Sequence, residues 1–236
     1  MKGDEVMYNY YYFDSSYLLV ILASIIVLFA QSKVSSAYNR YSKVRNEANM
    51  TGAEVANKII QQHHLDISVE RINGQLSDHY DPTHKVVRLS SAIHDGMSIA
   101  SLAVAAHEVG HALQHQEGYG MLKLRHALLP FANFGSSAGW VAVMIGLLLG
   151  SSGVAYLGLA LLSLMLGFQF VTLPVEFNAS SRALHILEGE GYLGYNETGM
   201  AKKMLDAAAL TYVAAVASTL LNLLRIFLII GGRRRD

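Results

Sequence analysis

The chain has 236 residues, of which 52% are hydrophobic and only 15% charged, against about 25% charged in an ordinary soluble domain. Eighteen basic residues balance eighteen acidic ones and only three residues are proline, which excludes both a general polyanion-binding surface for nucleic acid and a disordered chain. There is no cysteine, so disulfides, thiolate metal sites, iron–sulfur clusters and cysteine nucleophiles are excluded, and a metal would have to sit on His, Asp, Glu or water; ten histidines are available.

Residues 1–32 read as an N-terminal transmembrane anchor. Tyr17 to Ala30 carry no charge, Ser15, Ser16 and Gln31 extend the run, and Tyr10, Tyr11 and Tyr12 are placed for an interfacial belt. A cleaved signal peptide fits less well. Lys2 is the sole basic residue ahead of the apolar run, Asp4, Glu5 and Asp14 precede it, and no small-x-small cleavage site follows.

Residues 33–126 form a water-soluble stretch of α+β pattern. Thr51-Gly52-Ala53-Glu54 has capping-box spacing and opens a helix that runs toward His64. Ile67–Ile72 alternates as a strand, Asn73-Gly74 signals a tight hairpin into Gln75–Tyr80, and Asp81-Pro82-Thr83-His84 signals a second turn into Lys85–Leu89. The pattern predicts a small antiparallel meander, with Lys85–Leu89 as the edge on which an extended peptide would pair. A helix follows from Ser98 to Gln116.

Residues 127–175 contain no Asp, Glu, Lys, Arg or His. As a helix the stretch would be about 73 Å long, against a bilayer core of about 30 Å. It is therefore a transmembrane hairpin, with helices expected over Leu129–Leu149 and Val154–Leu173 and a break at Gly150-Ser151-Ser152-Gly153. Gly135-x-x-x-Gly139 and Gly146-x-x-x-Gly150 have the spacing for close helix approach, expected within the chain rather than between copies. After a charged segment over 176–206, residues 207–236 hold another apolar helix, which crosses the bilayer or lies in its interface, and a basic tail. Arg225 interrupts that helix and is expected to snorkel. The fold class is thus a mainly α membrane protein with about four transmembrane helices and a small α+β region.

The chemistry-bearing pattern is His107-Glu108-Val109-Gly110-His111, expected about 0.02 times by chance in a chain of this composition. On a helix, positions i and i+4 share a face, so two imidazoles can meet one zinc ion at about 2.0–2.1 Å. Glu108 points elsewhere and can reach a water activated by the metal, whose proton it would take. A catalytic zinc needs a third protein ligand. The extended motif with a third histidine fails, because Gln114 and Glu117 stand where Gly and His are required. Glu176, the first charge after the hairpin, is the candidate, with Glu117, which is too close to the motif, and Glu188, Glu190 and Glu197 as rivals. Arg182 is a candidate for stabilising an oxyanion or, equally, a basic residue at the membrane surface. His115 continues the histidine row as a structural or solvated group.

Together HEVGHALQHQEGY, the preceding DHYDPTHKVVRLS and the later LPVEFNASSRAL resemble the YugP-like neutral zinc metallopeptidases over nearly the whole chain, and more distantly the HtpX and CAAX-prenyl type membrane proteases. The resemblance implies a zincin-like catalytic region at 33–126 and zinc-dependent proteolysis. It implies one zinc ion per chain on His107, His111 and Glu176, the last from a third-ligand segment at 176–206, with Glu108 as base. The distant relatives carry Asp four residues after the glutamate ligand. Here that position is Ser180, whose hydroxyl can accept the same histidine hydrogen bond without charge, and Asn178 is an alternative. The partners implied are a protein or peptide substrate associated with the membrane, and the lipid bilayer; the oligomeric state is left open. A non-catalytic membrane protein with a structural metal site is the competing class, against which Glu108 argues because a structural site needs no base.

As a multi-pass protein of the bacterial cell membrane with four crossings, the chain has nine basic residues near span ends on the catalytic side (Lys33, Arg40, Lys43, Arg45, Lys123, Arg125, Arg182, Lys202, Lys203). Lys2 and Arg233 to Arg235 are on the other. This favours a cytoplasmic active site, although the arginine run objects unless the last helix fails to cross.

Overall fold

Apolar length sets the architecture. The computed structural model describes residues 16–74 and 77–232. Its helices are α1 (Tyr17–Tyr41), α2 (Gly52–Gln62), α3 (Ser91–His94), α4 (Ile99–Gln116), α5 (Gly120–Leu148), α6 (Ser152–Gly189) and α7 (Tyr195–Gly232), and its strands β1 (Ser68–Ile72), β2 (His79–Asp81) and β3 (Val86–Ser90). Helices α1, α5, α6 and α7 are each long and apolar enough to cross a bilayer. Leu28, Phe131, Trp140, Leu148, Leu157 and Phe227 stand exposed on them, a surface that lipid rather than water would cover. The protein is a mainly α membrane protein with one small sheet. Tyr10 to Tyr12, Gln75 and the Arg233–Arg235 run lie outside the described residues.

Helices α5 and α6 form the expected hairpin, joined where Gly150 turns the chain at φ 67°. Its seam is built on glycine. A Cβ on Gly146 would lie 2.3 Å from the Ala155 nitrogen, and one on Gly139 would lie 2.9 Å from the Gly158 carbonyl oxygen. Gly135, Gly139 and Gly146 thus serve packing inside the chain, whereas Gly150, with open space at its Cβ position, serves the turn.

Helix α6 does not stop before Pro174 as expected but runs on to Gly189. The proline forfeits one intrahelical donor, yet Val175, Glu176, Ala179 and Ala183 beyond it are buried, and α6 packs against α4 and α7. Tertiary packing holds the turn that the local signal would end. Helix α7 likewise begins at Tyr195, well before Ala207, and packs along α1. Arg225 does not snorkel freely: its guanidinium lies over the Tyr17 ring at 4.8 Å. That contact sets the end of α7 beside the start of α1, so the two helices run antiparallel.

The sheet corrects the expected meander. Its order is β1-β3-β2, with β1 parallel to β3 and β2 antiparallel to it. The second turn does close a hairpin, where Asp81 Oδ1 accepts from the Thr83 and His84 amides at 2.9 and 3.2 Å. The Asn73-Gly74 turn instead starts a longer connection around β3. The reason lies in burial: Val86, Val87, Leu89 and Ser90 are buried, whereas β1 and β2 are largely uncovered. The most apolar strand takes the centre. Lys85–Leu89 therefore offers no free edge; β1 and β2 are the edge strands.

The core around the sheet gathers Val55 and Ile59 of α2, Val87 and Leu89 of β3, Ile93, Ile99 and Leu102, and closes on Leu187 of α6 and Met204 of α7. The Thr51–Glu54 capping box forms as the spacing predicts, with both reciprocal bonds present. The glycine seam can be tested: Gly146→Leu should destabilise the protein by about 1–3 kcal/mol through overpacking. Gly167→Leu, where a Cβ meets nothing within 4 Å, should leave the thermal unfolding midpoint in detergent nearly unchanged.

Candidate metal centre

Helix α4 starts where the Ser98 hydroxyl accepts the Ser101 amide at 3.1 Å, and it runs buried through Ala100, Leu102, Ala103, Ala105 and Ala106. One helical turn then separates His107 from His111, whose rings meet edge to face with centroids 4.8 Å apart. Glu176 of α6 faces them. Its Oε2 lies 3.4 Å from His107 Nε2 and 3.5 Å from His111 Nε2, and the three ligand atoms all lie within 4.8 Å of one another. Among the described residues no other such group of three His, Asp or Glu comes together.

The residues fit a zinc ion. Ligand atoms at about 2.0–2.1 Å from a tetrahedral metal stand about 3.4 Å apart, which matches the two measured separations. The Glu176 Oε2 atom is fully buried and, although both imidazoles approach it, neither makes a hydrogen bond to it. A buried carboxylate oxygen left in this way is costly, and a cation would satisfy it.

The far ring nitrogens are held. His107 Nδ1 lies 3.1 Å from Ser180 Oγ, and His111 Nδ1 lies 3.0 Å from Gln114 Oε1. Such partners fix the ring orientation and present Nε2 to a metal. Ser180 is one turn beyond Glu176 on α6, so the hydroxyl stands where the sequence reading placed it. Asn178 serves the other histidine. Gln114 is fully buried and donates from Nε2 to Val175 O at 2.8 Å and Asn178 Oδ1 at 2.9 Å. Asn178 Oδ1 in turn accepts from Arg182 Nε at 2.8 Å, and Arg182 pairs with Glu117 at 2.7 Å. The structure thus commits Arg182 to Asn178 and Glu117, and it lines neither cavity at the centre.

Gly110 makes the convergence sterically possible. A Cβ there would sit 2.8 Å from the Ala179 carbonyl oxygen, so only glycine lets α4 and α6 approach closely at this level. Glu108 is buried, and its Oε2 accepts the Tyr80 amide of β2 at 3.0 Å. Tyr80 is anchored in turn, its hydroxyl 2.9 Å from His115 Nδ1. His115 is therefore a structural histidine.

Two cavities flank the centre and share His107, Glu108, Glu176 and Tyr212 in their walls. Asp78 also borders both; one cavity, of about 170 Å³, is polar and adds Tyr80, Arg125 and His126, and the other, of about 150 Å³, is mostly apolar. Sequence reasoning missed Arg125, whose Nη1 lies 3.5 Å from Glu176 Oε1, and Tyr212. Both sit on spanning helices, where they read as a boundary charge and one more apolar-run residue. Gln114 could have been found, because i, i+3 spacing from His111 puts it on the same helix face.

Fold and site together define a membrane-embedded member of a peptidase class. The chain belongs to the family described as "Putative neutral zinc metallopeptidase", whose model matches residues 16–231. It is similar to the "Putative membrane protease YugP" of Bacillus subtilis (strain 168), with 49% identity over 217 residues covering 91% of this chain and 96% of that protein. No solved structure matches the chain.

Two outcomes test the centre. Loss of a supporting hydrogen bond to a ligand costs about 10–100-fold in metal affinity, so Glu176→Ala should weaken zinc binding by more than that and Glu188→Ala should not; chelator competition with elemental analysis reads both. Proton competition gives the second. Burial pushes the His111 imidazole down, but the Glu176 and Glu108 carboxylates and Gln114 outweigh it and hold the ring above its ordinary value. A raised value keeps the proton on to higher pH, and only the neutral ring ligates. Zinc affinity should therefore fall on acidification from a pH above about 6.5, the ordinary imidazole value.

Proposed function

We propose that the protein is a zinc-dependent endopeptidase that hydrolyses peptide bonds of membrane or membrane-associated proteins. His107, His111 and Glu176 hold one zinc ion per chain and Glu108 is the general base. The carrying observation is the convergence of these four side chains from α4 and α6 on one cleft. When bound, zinc acts as a Lewis acid that polarises the scissile carbonyl and lowers the pKa of water toward about 7.

The chain's own residues do the rest. Glu108, beside the ligand pair, takes the proton of the attacking water and returns it to the leaving amine. Its contact with the Tyr80 amide puts it next to β2, one of the two edge strands of the sheet, beside which an extended substrate backbone can run. Arg125 and Tyr212 line the cavity on the Glu176 side and supply donors for the developing oxyanion. Arg182 acts through Asn178 and Gln114 on the orientation of His111.

The catalytic region lies on the cytoplasmic face of the cell membrane. Nine basic residues near span ends on that side, against Lys2 and three arginines on the other, support this orientation.

Glu108→Gln should retain zinc and lose about 10²–10⁴-fold in peptide hydrolysis; full activity in that variant would sink the mechanism. Orientation can be read by labelling, because the chain has no cysteine of its own. Asp66→Cys, at a side chain 94% exposed, should react with a membrane-impermeant maleimide only after cells are opened. Labelling of intact cells would reverse the assignment.

A further inference from the structure

From the apolar cavity beside the metal centre we infer that the enzyme selects substrates carrying one apolar side chain of Leu, Met or Phe size directly next to the scissile bond; this rests on the peptidase reading above. The cavity measures about 150 Å³ and shares His107, Glu108 and Glu176 with the centre, so a residue bonded to the reacting carbonyl or amide reaches it without a spacer. Its remaining walls come from Val34 of α1, Val104 of α4, Ser180 of α6, and Met204, Leu205, Ala208, Ala209 and Tyr212 of α7, with Asp78 beside β2.

The acidic group in the cavity wall outside the catalytic set is Asp78, and it is spoken for. Its Oδ1 accepts the Ser90 amide at 2.6 Å and its Oδ2 accepts the Ser90 hydroxyl at 3.2 Å. With the Glu176 carboxylate held by the metal, a lysine or arginine side chain entering this space would lose its water against a mostly apolar wall. A cavity of about 150 Å³ accepts one benzene-sized group, which sets the size limit. The cavity on the other flank, with Arg125 and His126 in its wall, gives no such preference, so selectivity falls on one side of the bond only.

The test uses the full-length, zinc-loaded protein in detergent with a proteome-derived peptide library, cleavage sites being read by mass spectrometry. Leu, Met and Phe should be enriched at one position adjoining the cut, by about 10–200-fold over Gly. Ala209→Phe fills the pocket and should move the preference to Gly and Ala. Met204→Ala enlarges it and should move the preference toward Tyr and Trp, which keeps the test informative if the first variant fails to fold. Cleavage that depends on Glu108 but shows no apolar preference, or a preference that neither variant moves, overturns the pocket and leaves the peptidase reading standing. Absence of any Glu108-dependent cleavage overturns the peptidase reading and the pocket with it.

Discussion

The close approach of α4 and α6 is the constraint on which the rest depends. Two histidines one turn apart make an incomplete site, and the third candidate donor, Glu176, comes from another helix beyond the α5 crossing. It reaches them because Gly110 lets the α4 backbone come up against the Ala179 carbonyl. On α6, Glu176 and Ser180 are likewise one turn apart, so two four-residue rows face each other. One row supplies the imidazoles, and the other supplies a carboxylate and the hydroxyl that steadies His107. A wider gap would separate all these contacts at once.

The membrane-spanning helices act as the spacer that fixes this register. The chain leaves α4, crosses with α5, turns at Gly150 and returns with α6, and the α5–α6 seam is packed backbone to backbone. With no hydrophobic driving force between helices in lipid, close packing of small residues is what sets the relative height of the two. That height determines which turn of α6 meets the histidines. Burying the Glu176 carboxylate with one oxygen lacking a hydrogen bond disfavours the metal-free protein, so cation binding and the correct packing of α6 support each other.

Polar networks hold the remaining parts. On the sheet side, Arg88 bridges Asp81 and Glu70, and Arg88 with His84 holds the Asp81 carboxyl well below the usual carboxylate range. This pins the β2–β3 hairpin and keeps the Tyr80 amide against Glu108. On the helix side, the run Glu117–Arg182–Asn178–Gln114–His111 links an exposed acid to one of the two histidines of the candidate centre. Both networks reach the centre through one hydrogen bond each, so a change at the surface can alter the site without touching a ligand.

What the sequence by itself determined is what local period and spacing encode. The i, i+4 histidines, the glutamate between them, the capping box, the charge-free hairpin and the glycine spacing each involve residues within a few turns of one another, and each stands in the structure. Glu176 was legible as a candidate only because a crossing pair of helices must return the chain to the side it left. The tertiary structure alone decided that β3 lies between β1 and β2, because strand order follows from which strand buries both faces and not from the turn that precedes it. It alone carried α6 through Pro174, since packing against α4 and α7 outweighs one lost intrahelical bond. Arg125, Tyr212 and the long links from Gln114 to Val175 and Asn178 were likewise invisible beforehand. Such contacts join residues dozens of positions apart, and no local pattern marks which side chain will face which until the helices have packed.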